Sequence, residues 1–248
     1  VKNSTNVVVF IHGLTGDAKG TWENEDTGIY WPKMMKGIKD FEDIDIFVYE
    51  YPSSILSHSN LDVSEIARDL APTLRFNNID YTKNIVFLAH SLGGVVVRAL
   101  LAGDGDYFNS TVSLHLYGTP TNGAGLAQIA RYFSGNPQVK NISRLTDNTF
   151  LKYVQDIWQI RIKKDRDNGY SMGVYCAYEK KKYSGAIVVD RESATALCDE
   201  SFPIEKNHVD MVKPTSDTDK PQIFFLNSFR DETRKLAQCR RHRDLDVQ

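Results

Sequence analysis

Cysteine is scarce in this 248-residue sequence, with Cys176, Cys198 and Cys239 an odd number that contains no C-x-x-C pair and no metal-type spacing. This argues against both a disulfide framework and a zinc site and points to a reducing, intracellular compartment. No apolar run approaches the roughly 20 residues that a helical bilayer span needs. No charged n-region with an apolar h-region opens the chain. Val7 begins a strand almost at once, so sequence upstream is expected and the chain reads as part of a longer protein. A surplus of charge is also missing: 30 basic against 32 acidic residues leave a net charge of -2, so no global field recruits nucleic acid or an anionic membrane. There is no internal repeat and no low-complexity linker. What is present is 41% hydrophobic content over a length that suits one α/β domain with an insertion.

Strand and helix patterns alternate. Val7–Ile11 is a continuous, β-branched run, as expected of a strand covered on both faces, and it ends in the glycine-bearing His12-Gly13-Leu14-Thr15-Gly16. Thr21-Trp22 and Tyr30-Trp31-Pro32 are expected to pack in the core rather than line a pocket. A short helix is expected over Lys33–Lys39, a strand over Ile44–Tyr49, and a helix from the Asp62-x-x-Glu65 capping box that Pro72 kinks or ends near Ala71. Val112–Tyr117 and Met172–Tyr178 read as further strands, with His115 a packed or surface histidine. Between them, 121–169 carries two amphipathic stripes (Leu126, Ile129, Ala130, Phe133; then Phe150, Val154, Ile157, Trp158) and no strand pattern. These stripes fit a cap over the site or an ordinary crossover helix pair. Ala186–Val189 is a short apolar piece, Pro221 opens a last helix, and the tail from Arg240 is expected to fray. Strands spaced by helical patterns predict a parallel sheet with crossover helices.

The chain is organised around Asn84–Val97. Ile85–Ala89 reads as a buried strand and Val95–Leu101 as a helix that stops at Gly103 and Gly105, with Ser91 in the tight turn between. A sharp strand-to-helix turn lifts a serine Oγ clear of the sheet edge and aims the next N–H at a developing oxyanion. The usual spacing is G-x-S-x-G, and here Ala89 holds the first place. Alone the motif is weak, since a chain of this length shows it by chance roughly one time in ten. Its context adds to it. Acyl transfer by serine needs a base for the hydroxyl proton, a carboxylate to orient that base, and N–H donors for the oxyanion. The chain offers His12-Gly13-Leu14, Ser91, Glu179 or Asp190, and His208, in that order.

Together, Phe10–Gly16, Ala89–Gly94, Gly118-Thr119-Pro120 and Asn207–Pro214 resemble the lipase-like branch of the α/β-hydrolases, and within it the GPI inositol-deacylase-like and serine-active-site-containing-protein group. The resemblance spans about Val7 to Pro214. It implies an α/β-hydrolase fold with a mostly parallel central sheet, helices on both faces and a helical cap at 121–169, all within one domain over 1–238 followed by a charged tail at 239–248. Residue by residue, it implies Ser91 as nucleophile, His208 as general base and then acid, and the Leu14 and Leu92 N–H groups as oxyanion hole. His12 belongs to the oxyanion loop and His90 to the elbow, while His58, His115 and His242 match no catalytic element. Many relatives place an acid a few residues before a Val-Val turn, a place that falls near Ala186, which cannot serve. Glu179, at the end of the preceding strand, is favoured as the acid, with Asp190 as the alternative. The bland readings are that Glu179 caps a strand and that Asp190 pairs with Arg191.

The expectation is a serine hydrolase of carboxylic esters, lipid acyl esters among them, that needs neither cofactor nor metal. Its partners would be small-molecule or lipid esters, with peripheral membrane contact and no nucleic acid. Two alternatives stand beside it: an interaction or regulatory module on the same fold, and a thioesterase or acyl transferase. Lys180–Lys182 reads as a solvated turn, with a preference for anionic head groups as its sharper reading.

Overall fold

A strand covered on both faces must send apolar side chains both ways, and β1 (Asn6–Ile11) does so: Val7, Val9 and Ile11 pack to one side, Val8 and Phe10 to the other. In the computed structural model, which describes residues 4–52, 63–121, 125, 129, 149–167 and 172–246, β1 lies inside a six-stranded sheet. The strand order is β4 (Asp45–Tyr49), β1, β5 (Asn84–His90), β6 (Thr111–Tyr117), β7 (Gly173–Glu179) and β8 (Glu200–Ile204), and every pairing is parallel. A two-stranded antiparallel hairpin, β2 (Glu23–Asn24) and β3 (Ile29–Tyr30), stands apart from it.

Two cores follow from the alternation. On one face, α2 (Val63–Phe76), α3 (Leu92–Gly103) and α5 (Thr149–Asp167) cover Val7, Ile11, Phe87, Leu114 and Cys176. On the other, α1 (Trp31–Met35) and α7 (Lys220–Asp246) cover Phe10, Leu88, Tyr117 and Tyr175. There Trp22 and Trp31 are fully buried, meeting Phe10 and, for Trp31, Tyr117 and Phe225 edge-on. These tryptophans serve the core.

The chain leaves β1 for β4 on one side and returns to β5 on the other, so the strand order reverses between β1 and β5. In an open parallel sheet, the crevice beyond the strand ends at such a switch point is where ligands bind. His12-Gly13-Leu14 and His90-Ser91 lie at those two ends.

Several local expectations need correction. The helix through Pro72, expected to kink or end near Ala71, does not end there but runs on to Phe76. Pro72 is exposed, and Ile66, Ala67, Leu70, Ala71 and Leu74 carry the buried stripe past it. The helix expected over Lys33–Lys39 starts earlier, with Pro32 in its first turn, and a separate 3-10 turn covers Lys39–Phe41. The sixth strand is β8, which Pro203 disguises, since proline is confined to sheet edges and β8 is an edge. The last helix continues to Asp246 through the segment expected to fray. Finally, Cys176 and Cys198 are bridged, with Cα atoms 5.9 Å apart. The pair is 22 residues apart in sequence. The Asp199 N–H to Val174 carbonyl bond of 2.8 Å draws the turn before β8 against β7 and brings the two together. The cysteines therefore no longer argue for a reducing compartment.

Of the expected 121–169 insertion, 122–148 lies outside the described residues apart from positions 125 and 129. The described second stripe is α5, which lies on α3 with Val154 and Trp158 buried. Among the described residues no helix is long and apolar enough to cross a membrane.

Candidate active site

Ser91 stands between β5 and α3 with φ 53° and ψ −126°, a backbone conformation that costs an L-residue about 1–3 kcal/mol. The surroundings hold it there. The Ser91 N–H donates to the Tyr117 carbonyl at 2.9 Å, tying the turn to the neighbouring strand end, and Ala89 sits fully buried in β5 between Ile11 and Leu116. The departure from glycine at position 89 therefore leaves the turn intact. Glycines do their work at two other places. A Cβ on Gly13 would lie 2.7 Å from the Ser91 Cβ, so only glycine lets the loop after β1 lie against the serine. A Cβ on Gly93 would lie 2.4 Å from the His12 carbonyl oxygen and 2.5 Å from that of Ile11. Because those atoms are backbone, they cannot yield cheaply. Gly93→Ala is expected to destabilise the fold by about 1–3 kcal/mol, read as a lowered denaturation midpoint in urea.

His208 follows β8 in a turn that its neighbour pins. Asn207 Oδ1 accepts from the Val209 N–H at 3.0 Å and the Asp210 N–H at 2.9 Å, and the Met211 N–H donates to the Asn207 carbonyl at 3.0 Å. The imidazole is buried, with Nε2 3.0 Å from Ser91 Oγ and Nδ1 2.6 Å from Glu179 Oε2. Glu179 closes β7, and its side chain is wholly buried. Its second oxygen, Oε1, accepts from the Val188 N–H at 2.5 Å and the Val189 N–H at 3.1 Å. A buried carboxylate needs such donors, and here two backbone N–H groups and one imidazole supply them.

The structure thus brings Ser91, His208 and Glu179 into one chain of hydrogen bonds and leaves Asp190 out of it. Asp190 is the N-cap of α6 (Arg191–Thr195) and accepts from the Ser193 N–H at 2.7 Å. Its position directly before a short helix was the signal in the sequence for that role. Asp190→Ala should lower stability by about 1 kcal/mol and leave kcat on a test ester within about threefold of the unmodified chain. A thermal melt and a rate assay check both.

Leu92 opens α3, where a helix leaves its first N–H groups without partners of its own. Among the described residues neither the Leu92 nor the Leu14 N–H has a hydrogen-bond acceptor within the protein. The His12 ring beside them stacks on Tyr51 at 4.1 Å, and the Tyr51 hydroxyl donates to the His12 carbonyl at 2.7 Å, which fixes the loop that holds Leu14. Burial holds the His12 imidazole below the ordinary histidine value, against the opposing pull of its bond to Gly13 and of Glu50 and Asp17. His115 is packed beneath α7 between Ser113 and Ser228, and burial pushes it down to about 3. Lys180–Lys182 is an exposed turn. Among the described residues, no group of three or more His, Cys, Asp or Glu could hold a metal ion. The Val188 and Val189 donors were hidden in the sequence, since Ala186–Val189 looks like any apolar piece. The Nε2 of His90, 2.9 Å from the His208 carbonyl, was equally hidden.

Comparison with known proteins agrees with this architecture. The family model described as "Putative serine esterase (DUF676)" matches residues 1–113. Human Protein SERAC1 is 26% identical over 242 residues, covering 84% of this chain and 36% of that protein, so the chain spans about a third of the length of this relative. Among solved structures, phospholipase PlaB from Legionella pneumophila superposes with a TM-score of 0.58 at 16% identity, covering 94% of this chain and 62% of that one. Bacillus licheniformis lipase BlEst2 in its mature form superposes with a TM-score of 0.55 at 13% identity, covering 92% of each chain. The fold is that of the α/β-hydrolases, and the sequence likenesses are to a serine esterase family over residues 1–113 and to Protein SERAC1.

Proposed function

We propose that the chain hydrolyses carboxylic esters through an acyl-enzyme, with Ser91 as nucleophile, His208 as base and then acid, and Glu179 as the orienting carboxylate. The observation that carries this is the unbroken buried line from Ser91 Oγ to His208 Nε2 at 3.0 Å and from His208 Nδ1 to Glu179 Oε2 at 2.6 Å. In this reading the Nδ1 hydrogen points at Glu179, so Nε2 is free to take the Ser91 proton as Oγ attacks the ester carbonyl. The oxyanion that forms is met by the Leu14 and Leu92 N–H groups, and the imidazolium beside Glu179 returns its proton to the leaving alkoxide. Water, deprotonated in turn by His208, then releases the acid and restores Ser91. Neither metal nor cofactor enters any step.

A lipid ester is the substrate class we favour. Its supports are the names of two neighbours of like fold, a lipase and a phospholipase, and the exposed Tyr153 and Ile160, seven residues apart on one side of α5, where peripheral contact with a lipid surface would fall. A fluorophosphonate probe and a series of nitrophenyl esters of rising chain length test the proposal. The unmodified protein should be labelled and should turn over at least the short esters. A folded protein that does neither would be an interaction module on a hydrolase fold.

A further inference from the structure

His90 ends β5, one residue before Ser91, and its side chain lies outside the line of hydrogen bonds just described. Its Nε2 sits 2.9 Å from the backbone carbonyl of His208, 118 residues further along the chain. A carbonyl can only accept, so this contact assigns the hydrogen to Nε2 and leaves Nδ1 bare. The His90 and His208 rings lie 4.9 Å apart at the centroids, tilted by 43°. Burial first, and then His208, lower the His90 imidazole well below the ordinary histidine value, with His12 and Lys213 adding to the effect and the bond to the His208 carbonyl opposing it. His90 therefore stays neutral, and its donor stays in place when His208 takes up a proton.

The other restraints on His208 act elsewhere. Asn207 fixes the N–H groups that follow in the turn, and Glu179 fixes the ring at Nδ1. Among the described residues, the His208 carbonyl has His90 as its one hydrogen-bond donor. Asn207 holds the peptide unit after His208 only within its own turn, through the Val209 N–H, so without the His90 bond that turn, and the ring it carries, could shift as a unit relative to β5. We propose that His90 is a positioning residue for His208, tying the loop that carries the base to the strand end that carries Ser91, so that one hydrogen bond across the site sets the distance from Nε2 to Oγ. This rests on the reading of Ser91 and His208 as nucleophile and base and adds a third group on which their geometry depends.

The test compares His90→Gln with His90→Asn on a short nitrophenyl ester, with thermal melts of both. A glutamine amide nitrogen reaches where the histidine Nε2 lies, whereas an asparagine amide nitrogen lies where Nδ1 was and stops short of the carbonyl. His90→Gln should keep kcat within about threefold of the unmodified chain, while His90→Asn should lose roughly 10- to 100-fold in kcat with KM within about twofold. If His90→Asn does not fold, His90→Met, which fills the space without a donor, takes its place with the same expectation. Equal kcat in the glutamine and the donor-less variants, whether both intact or both impaired, overturns the positioning role while the unmodified chain stays active. An unmodified chain that is folded yet unlabelled by fluorophosphonate and inactive overturns the nucleophile reading itself, and the positioning role with it.

Discussion

Ser91→Ala is expected to fold as the unmodified chain does, to lose all fluorophosphonate labelling, and to lose roughly 10⁴- to 10⁶-fold in kcat on short nitrophenyl esters. The fold should survive because the change deletes one atom. Alanine meets the same positive-φ strain at position 91 as serine, and the Ser91 N–H bond to the Tyr117 carbonyl is a backbone contact that the substitution keeps. What is lost is the acceptor and donor facing His208 Nε2. Residual rate above water would come from the Leu14 and Leu92 N–H groups and from binding, as it does where nucleophiles are removed from comparable sites. Retention of hydrolysis near the unmodified level, in protein freed of contaminating esterase, would remove Ser91 from the mechanism.

The second large effect is expected at Glu179, and it separates this residue sharply from Asp190. Glu179→Gln keeps size and shape yet should lower kcat by roughly 10³- to 10⁴-fold. The Val188 and Val189 N–H groups both donate to Oε1, so the amide that replaces the carboxylate must turn its oxygen toward them and its NH₂ toward His208. An imidazole facing an NH₂ at Nδ1 has to accept there, which puts its own hydrogen on Nε2. That tautomer presents a donor to Ser91 Oγ and cannot take the serine proton. The reversal follows from the two valine N–H groups, because without them the amide could flip. A Glu179→Gln chain within tenfold of the unmodified rate would show that some other group orients His208.

The fold was readable because its signals are local. The β-branched runs at Val7–Ile11 and Ile85–Ala89 and the helical stripes between them follow from periodicity alone, and together they imply the parallel sheet that the structure has. Where reading failed, a non-local fact had overruled the local one. Pro72 sits on an exposed face and so does not stop α2, Pro203 is tolerated because β8 has a free edge, and Cys176 meets Cys198 only because β7 and β8 pair. At the site, Ser91, His208 and Glu179 could be picked out by residue type and order, and the structure brings these three into one line of hydrogen bonds. The backbone hydrogen bonds that hold Glu179 beside His208 could not be read. Glu179 is held by the Val188 and Val189 N–H groups, and backbone donors leave no mark in residue identity, whereas Asp190 caps α6 from a position that does carry a signal.

The parallel sheet has one further consequence, for how the chain comes to its final state. Ser91 and His208 are 117 residues apart, and the Trp31 indole that donates to Gln222 spans 191. Such contacts close long loops and so form slowly, after local helices have appeared. Among the described residues β8, which leads into the His208 turn, is also the last strand along the chain and pairs with β7 alone. A nascent or partly folded chain can therefore carry a well-formed turn at Ser91 with no base beside it. On the reading proposed above, Ser91 would gain its base only once β8 has docked on β7, so folding itself would time the chemistry.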